Sequence, residues 1–338
     1  MKRIFTNIWV LLLASASLTA QESIQRYYVD AQADGDGSSW ASAFSDLQSA
    51  LAVVKAGDEV WVVNGTYYPT QDGDRTVSFN IPSGVRVYGG FFGTETKLEE
   101  RNLGLCETVL SGNIGKADDT KDNSQTVVLF KDASTSTILD GFVISDGYAN
   151  GIEDGANLTT CGAAIFNNGE YGLSSPQITN CTFRANFARE GAAIYNFANM
   201  GVTSPIISAC QFADNRSDFN GGAIFNDGNM GTCNPTIKNS SFTGNESGYG
   251  SAVFNRGDYG ECQPTIQNSE FVSNLSLIRG GAIYDDTMGR GVCGAKVGDC
   301  IFEDNPSFVP DAGNGDENSI MNENPGSGTV RMRSTIAY

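Results

Sequence analysis

The chain has 338 residues, 21 basic and 39 acidic, a net charge of −18 and no histidine. The missing histidine excludes a Ser-His-Asp triad, a Cys-His pair and His-ligated zinc, so any catalysis must use Asp, Glu, Lys, Arg or Tyr. The acidic surplus disfavours nucleic acid as a partner, suits a solvated extracellular surface and leaves Ca²⁺ as a possible cofactor.

Residues 1–20 read as a secretory signal. Lys2 and Arg3 precede an apolar run from Ile8 to Leu13, and a small-residue stretch ends at Ala20, where cleavage is expected. The mature chain shows no other apolar run long enough to span a membrane. The expected location is therefore secreted or cell-surface. Residues 21–56 are expected to form a strand at Tyr27–Asp30, a turn-rich loop and a capping helix. Asp30, Asp34 and Asp36 in that loop offer hard oxygen ligands to Ca²⁺, or else simply serve Asp-Gly turn chemistry. Phe44, Leu47, Leu51 and Val54 fall at helical spacing within residues 40–55, and Gly57 ends the helix. Such a helix would cover the open end of a solenoid.

Residues 57–305 carry the strand rhythm. Glu59–Val63, Val77–Ile81, Val85–Tyr88, Val127–Phe130 and Ile138–Ile144 read as strands. Residues 93–126 read as a long excursion with one short strand at Thr108–Leu110. From Cys161 a unit of 29–31 residues repeats. Phe183, Phe212, Phe242, Phe271 and Phe302 align, each followed three residues later by Asn186, Asn215, Asn245, Asn274 and Asn305. Ile165, Ile194, Ile224, Val253 and Ile283 align, followed two residues later by Asn167, Asn196, Asn226, Asn255 and Asp285. A fixed period with short strands and Asn or Gly corners predicts an all-β parallel β-helix. About eight coils at about 4.8 Å each would make a rod about 40 Å long. Stacked Asn side chains are expected to bond in ladders along the axis. Residues 306–338 are a tail or cap.

Three sets of side chains could carry function. Arg189 and Glu190, with Asp218 and Arg279 on other coils, could form a small catalytic site, or could be solvated corner charges. Tyr171, Met200, Met230, Tyr259 and Met288 recur in an insert. They could form a ligand-binding row, or could pack over the outer face of the preceding strand, where Tyr195 lies next to inward Ile194. The eight cysteines permit disulfides in a secreted chain, but six stack in two columns. Same-column thiols lie about 4.8 Å apart, which suits a ladder of buried thiols at least as well.

The repeat resembles that of the polymorphic outer membrane proteins, whose hallmarks stand here as Gly221-Gly222-Ala223-Ile224 and Phe212-Ala213-Asp214-Asn215. The N-terminal half is similar to secreted β-helix proteins of Bacteroidetes-like bacteria, through Gly37-Ser38-Ser39-Trp40, Gly57-Asp58-Glu59-Val60-Trp61-Val62, Tyr88-Gly89-Gly90-Phe91 and Leu139-Asp140-Gly141-Phe142. The resemblance implies a right-handed, pectate-lyase-like β-helix on an exported protein. The function expected from it is non-catalytic binding of glycan or cell-surface material. The alternatives are a polysaccharide lyase or hydrolase acting on an acidic polysaccharide, and a structural envelope spacer.

Overall fold

The computed structural model describes residues 24–287, 290–307 and the strand Ile320–Asn322. The chain winds as a right-handed parallel β-helix, the hand that parallel crossovers take. In a regular coil the strand Gln177–Thr179 leads to Thr182–Arg184, then Phe187–Glu190, then Ile194–Phe197, before the next coil opens at Ile206. Stacking these pieces gives nine-, eight-, five- and eight-stranded parallel sheets among the described residues. The nine-stranded sheet runs from Arg26–Val29 to Lys296–Gly298, so the rod is one coil longer than its sequence predicts.

Alternation within each short strand decides what is inside. Phe183 is buried between partly exposed Thr182 and exposed Arg184, and pairs in register with Phe212. Phe183, Phe212, Phe242, Phe271 and Phe302 stack face to face with centroids 4.6–4.8 Å apart and planes within 7°. That spacing is the interstrand distance, so the backbone ladder sets the stack. The Ile178, Ile207, Ile237 and Ile266 column fills the nine-stranded side and the Ile165–Ile283 column the opposite one.

Both asparagine ladders form. Asn186 Nδ2 donates to Asn215 Oδ1 at 2.9 Å, and the pattern continues through Asn245 and Asn274 to Asn305. Asn167, Asn196, Asn226 and Asn255 do the same, ending on Asp285 Oδ1 at 2.7 Å. The corner residues are not the first ladder's asparagines themselves. The left-handed backbone falls one position earlier, at Ala185, Asp214, Gly244, Ser273 and Asp304, which turns each asparagine inward. Asn180, Asn239 and Asn268 do take left-handed angles, as expected of Asn.

The cap is shorter than its pattern suggested. A 3₁₀ turn at Trp40–Ser42 precedes an α-helix of only Leu47–Leu51. Asp46 caps it, accepting from Ser49 N at 2.8 Å and Ser49 Oγ at 2.7 Å. Leu47 and Leu51 still plug the first coil, with Phe44 and Val54 packed beside them. Residues 93–126 hold two 3₁₀ turns and the strand Thr108–Ser111, which is itself a rung of an eight-stranded sheet with Leu110 in the core. This excursion is pinned to the rod: Arg101 Nη1 donates to Asp140 Oδ1 at 2.7 Å and to Gly89 O at 3.0 Å. Among the described residues no helix is long and apolar enough to cross a membrane.

All eight cysteines are free and buried. Cys181, Cys210 and Cys300 share their column with Ser240 and Ser269, all buried. Each of the five donates to the carbonyl two residues back, as Cys210 does to Ser208 O at 3.4 Å and Ser240 to Lys238 O at 2.9 Å. The thiols thus act as weak donors in positions interchangeable with serine, which favours the thiol ladder over disulfides. We expect Ellman's reagent to find no reactive thiol in the native protein and eight in denaturant. Fewer than eight after unfolding would mean that disulfides form.

Candidate groove on the outer face

The outward residues of the Ile165–Asn168 to Ile283–Asp286 sheet form a second apolar cluster: Phe166, Tyr195, Phe225, Phe254 and Tyr284. The Tyr/Met insert does not cover them. Cover comes from the five-stranded sheet beside it, through Tyr249, and from residues 150–161, through Ala156, Leu158 and Cys161. Tyr171, Met200, Met230 and Tyr259 instead stand out at left-handed turns, 45–72% exposed. None of the four belongs to the cluster around Tyr195. Met288 lies outside the described residues.

Where the cover is incomplete, a groove runs along the axis. Its first part is a cavity of about 210 Å³ lined by Glu153, Asp154, Thr160, Cys161, Arg189, Glu190, Tyr195, Phe219 and Arg256, with Gly155 and Ala156. A second depression of about 360 Å³ continues from Arg256 and is lined by Asn220, Tyr249, Phe254, Asp258, Tyr284 and Asp286. Two columns supply five of these side chains: Glu190, Asn220, Tyr249, Arg256 and Asp286. Glu190, Asn220, Tyr249 and Arg279 are register partners on the five-stranded sheet. Phe197, Asp227, Arg256 and Asp286 are register partners on the floor.

A buried polar network fixes the middle of the groove. Arg256 Nε meets Asp227 Oδ1 at 3.1 Å and Nη2 meets Oδ2 at 2.6 Å, while the guanidinium lies 5.1 Å over the Phe225 ring. Tyr195 Oη donates to Asp227 Oδ2 at 2.7 Å. Burial holds the Tyr195 hydroxyl well above its ordinary range, and the Asp227 charge adds to this. Glu190 Oε1 accepts from Asn220 Nδ2 at 2.9 Å, and Cys161 Sγ lies 4.0 Å from Oε2. Burial raises the Glu190 carboxyl; Arg256 opposes the shift and Asp227 adds to it. Arg189 lies 5.2 Å over Phe219 and donates to Glu153 O at 3.2 Å, which ties residues 150–161 to the strand Phe187–Glu190.

The predicted four-residue site is only half assembled. Arg189 and Glu190 line the same cavity. Arg279 occupies the Glu190 column but three coils on, about 14 Å away at the strand spacing. Asp218 follows inward-facing Ser217, so alternation leaves it exposed outside the cavity. Of the two readings offered for Asp30, Asp34 and Asp36, the local geometry supports turn chemistry. Asp30 Oδ1 accepts from Gln32 N at 2.9 Å and Asp36 Oδ1 from Ser38 N at 3.1 Å, so these two carboxylates serve their own turns. With Asp34 they form no metal-holding cluster among the described residues. Asp227, Tyr195, Cys161 and Glu153 were missed. The Asp227–Arg256–Asp286 column, with charges alternating in sign between coils, was the available signal.

Stacked parallel coils carrying a lateral groove define this chain as a parallel β-helix protein. Residues 31–277 match the family described as "Protein of unknown function (DUF1565)", and the chain belongs to that family. No curated protein matches it. Among solved structures it is similar in outline to a rhamnogalacturonan lyase, at 13% identity over 86% of this chain and 83% of that one, with a TM-score of 0.38. It is likewise similar to the pectin methylesterase from Aspergillus niger, at 13% identity over 89% and 92%, with a TM-score of 0.40. A third is the iota-carrageenase of family GH82 from A. fortis, at 13% identity over 82% and 56%, with a TM-score of 0.33. At that depth the likeness carries no argument about chemistry.

Proposed function

We propose that this is an exported glycan-binding β-helix protein that holds an uncharged polysaccharide along the outer groove. The observation that carries the reading is the groove itself. Its floor is aromatic (Phe254, Tyr284), its wall carries Tyr249, and fixed amide, carboxylate and guanidinium groups repeat beside them along the axis. Phe254 and Tyr284 are buried beneath the groove, and the half-exposed Tyr249 ring is the one that can cover the apolar face of a sugar, with polar groups beside it for hydroxyls, which suits a linear glycan. The charge narrows the ligand. Glu153, Asp154, Glu190, Asp258 and Asp286 line the two parts against only Arg189 and Arg256. A uronate or sulfated chain would meet a like-charged surface, so an acidic polysaccharide is the less favoured ligand. The signal pattern of residues 1–20 supports export to where such polymers occur.

Affinity electrophoresis on gels containing laminarin, xylan, glucomannan or polygalacturonate tests this. Retardation is expected on at least one neutral gel and not on polygalacturonate. Tyr249→Ala should weaken it about 10-fold, the loss of one ring face. Free migration on every neutral gel sinks the proposal.

A further inference from the structure

We propose that the cavity closed by residues 150–161 hydrolyses the glycan, with Glu190 as proton donor and Glu153 as the base that activates water. This rests on the glycan reading of the same groove. The two carboxyl groups line one cavity but sit in opposite surroundings. Glu190 is on a strand and half-buried in the wall, with one oxygen accepting from Asn220. Neither guanidinium in the cavity forms a salt bridge with it. Arg256 is committed to Asp227 through both nitrogens, and Arg189 is held over Phe219 with Nη1 on the Glu153 carbonyl. Glu153 is exposed on the loop, and its Oε2 accepts from Thr159 Oγ1 at 2.7 Å.

These environments push the two protons apart. Burial favours the neutral form of Glu190. The Thr159 hydroxyl, with a smaller contribution from Arg189, favours the charged form of Glu153. The other groups facing Glu190 are Asn220, Arg256 and Arg189, which favour its anion, and Asp227, which opposes it. Tyr195 stays neutral at Asp227, and burial raises the Cys161 thiol to about 12, so neither titrates in the working range. A carboxyl held toward its acid form and another held toward its anion, lining one cavity, suit displacement at a glycosidic carbon. The bond from the anomeric carbon to the bridging oxygen breaks, its electron pair staying on oxygen. That oxygen takes the Glu190 proton. A water oxygen bonds to the anomeric carbon and gives its proton to Glu153. Exchange with solvent then restores Glu190–H and Glu153 as its anion. The balance is one glycoside and one water consumed for one fragment ending in a hemiacetal, the new reducing end, and one ending in an alcohol.

The test incubates the full chain with laminarin, xylan and glucomannan between pH 4 and 8 and measures new reducing ends. Release is expected from at least one. Glu190→Gln keeps the Asn220 contact and should lower kcat/KM by 100-fold or more. It should also remove the alkaline limb of the pH profile. Dinitrophenyl glycosides, whose leaving group needs no proton, should recover most of that loss. Glu153→Gln, on an exposed loop where folding is not at risk, should lower turnover of both substrate types. Retardation without any reducing ends overturns this inference and leaves glycan binding standing. Loss of both overturns both. Full activity in either variant overturns the roles assigned here.

Discussion

Asn245→Ala is expected to cost about 3–6 kcal/mol of stability, read as a lowered denaturant midpoint by circular dichroism. Asn245 is fully buried in the middle of its ladder. Its Oδ1 accepts from both the Asn215 backbone N and Nδ2, at 3.1 and 3.0 Å. Its Nδ2 donates to Asn274 Oδ1 at 2.8 Å and to Phe212 O at 2.9 Å. Removing the amide strands polar groups on two neighbouring coils where water cannot follow. Each group left without a partner costs about 1–3 kcal/mol. In a solenoid the damage stays near its source, so the transition should also broaden or split. A loss below about 1 kcal/mol would mean that water enters the core and replaces the ladder.

The second large effect is expected at Asp227→Ala, a loss of about 3–5 kcal/mol. Asp227 is 1% exposed and satisfies both the Arg256 fork and the Tyr195 hydroxyl. Without it a guanidinium and a phenol remain in the floor with nothing to accept their protons. The loss should not depend on added salt, because the pair is shielded from ions in solution. Glycan retardation should fall with it, since Arg256 joins both parts of the groove. Asp227→Ala combined with Arg256→Met should recover much of the stability and none of the binding. Equal losses in the single and double variants would mean that the pair is not the origin of the effect.

Much of the scaffold was legible in the sequence because a β-helix repeats one local rule. Phe183 and its aligned residues stack because a period of about one coil places like on like. Asn186 was recognisable as a ladder residue for the same reason. The groove was less legible. Alternation correctly put Ile194 and Tyr195 on opposite faces, yet the segment that covers Tyr195 depends on how the whole coil bends. The strand Phe187–Glu190 and its partners vary in length and shift register from coil to coil, which hid a fourth face behind what looked like corners. Glu190 was chosen for its charge alone; its importance comes from the Asn220 amide one coil on. Asp30, Asp34 and Asp36 could be read either as turn residues or as ion ligands. Clustering along the chain suggested a shared ion, but Asp30 and Asp36 found a backbone N–H within two residues.

The two asparagine ladders have a polarity. Every amide donates toward the later coil, so the side-chain dipoles add instead of cancelling, and each bond polarises the next. The Asn167 row begins on an Oδ1 that receives no donor, its negative end. It finishes on Asp285, a carboxylate, which accepts without having to donate and sits where the row's positive end falls. The Asn186 row reaches Asn305, whose Nδ2 donates to Phe271 O at 2.9 Å. The described Asn167 row thus carries different groups at its two ends, an open amide oxygen at Asn167 and the acid Asp285, and the register then passes to Asn322 on the next coil.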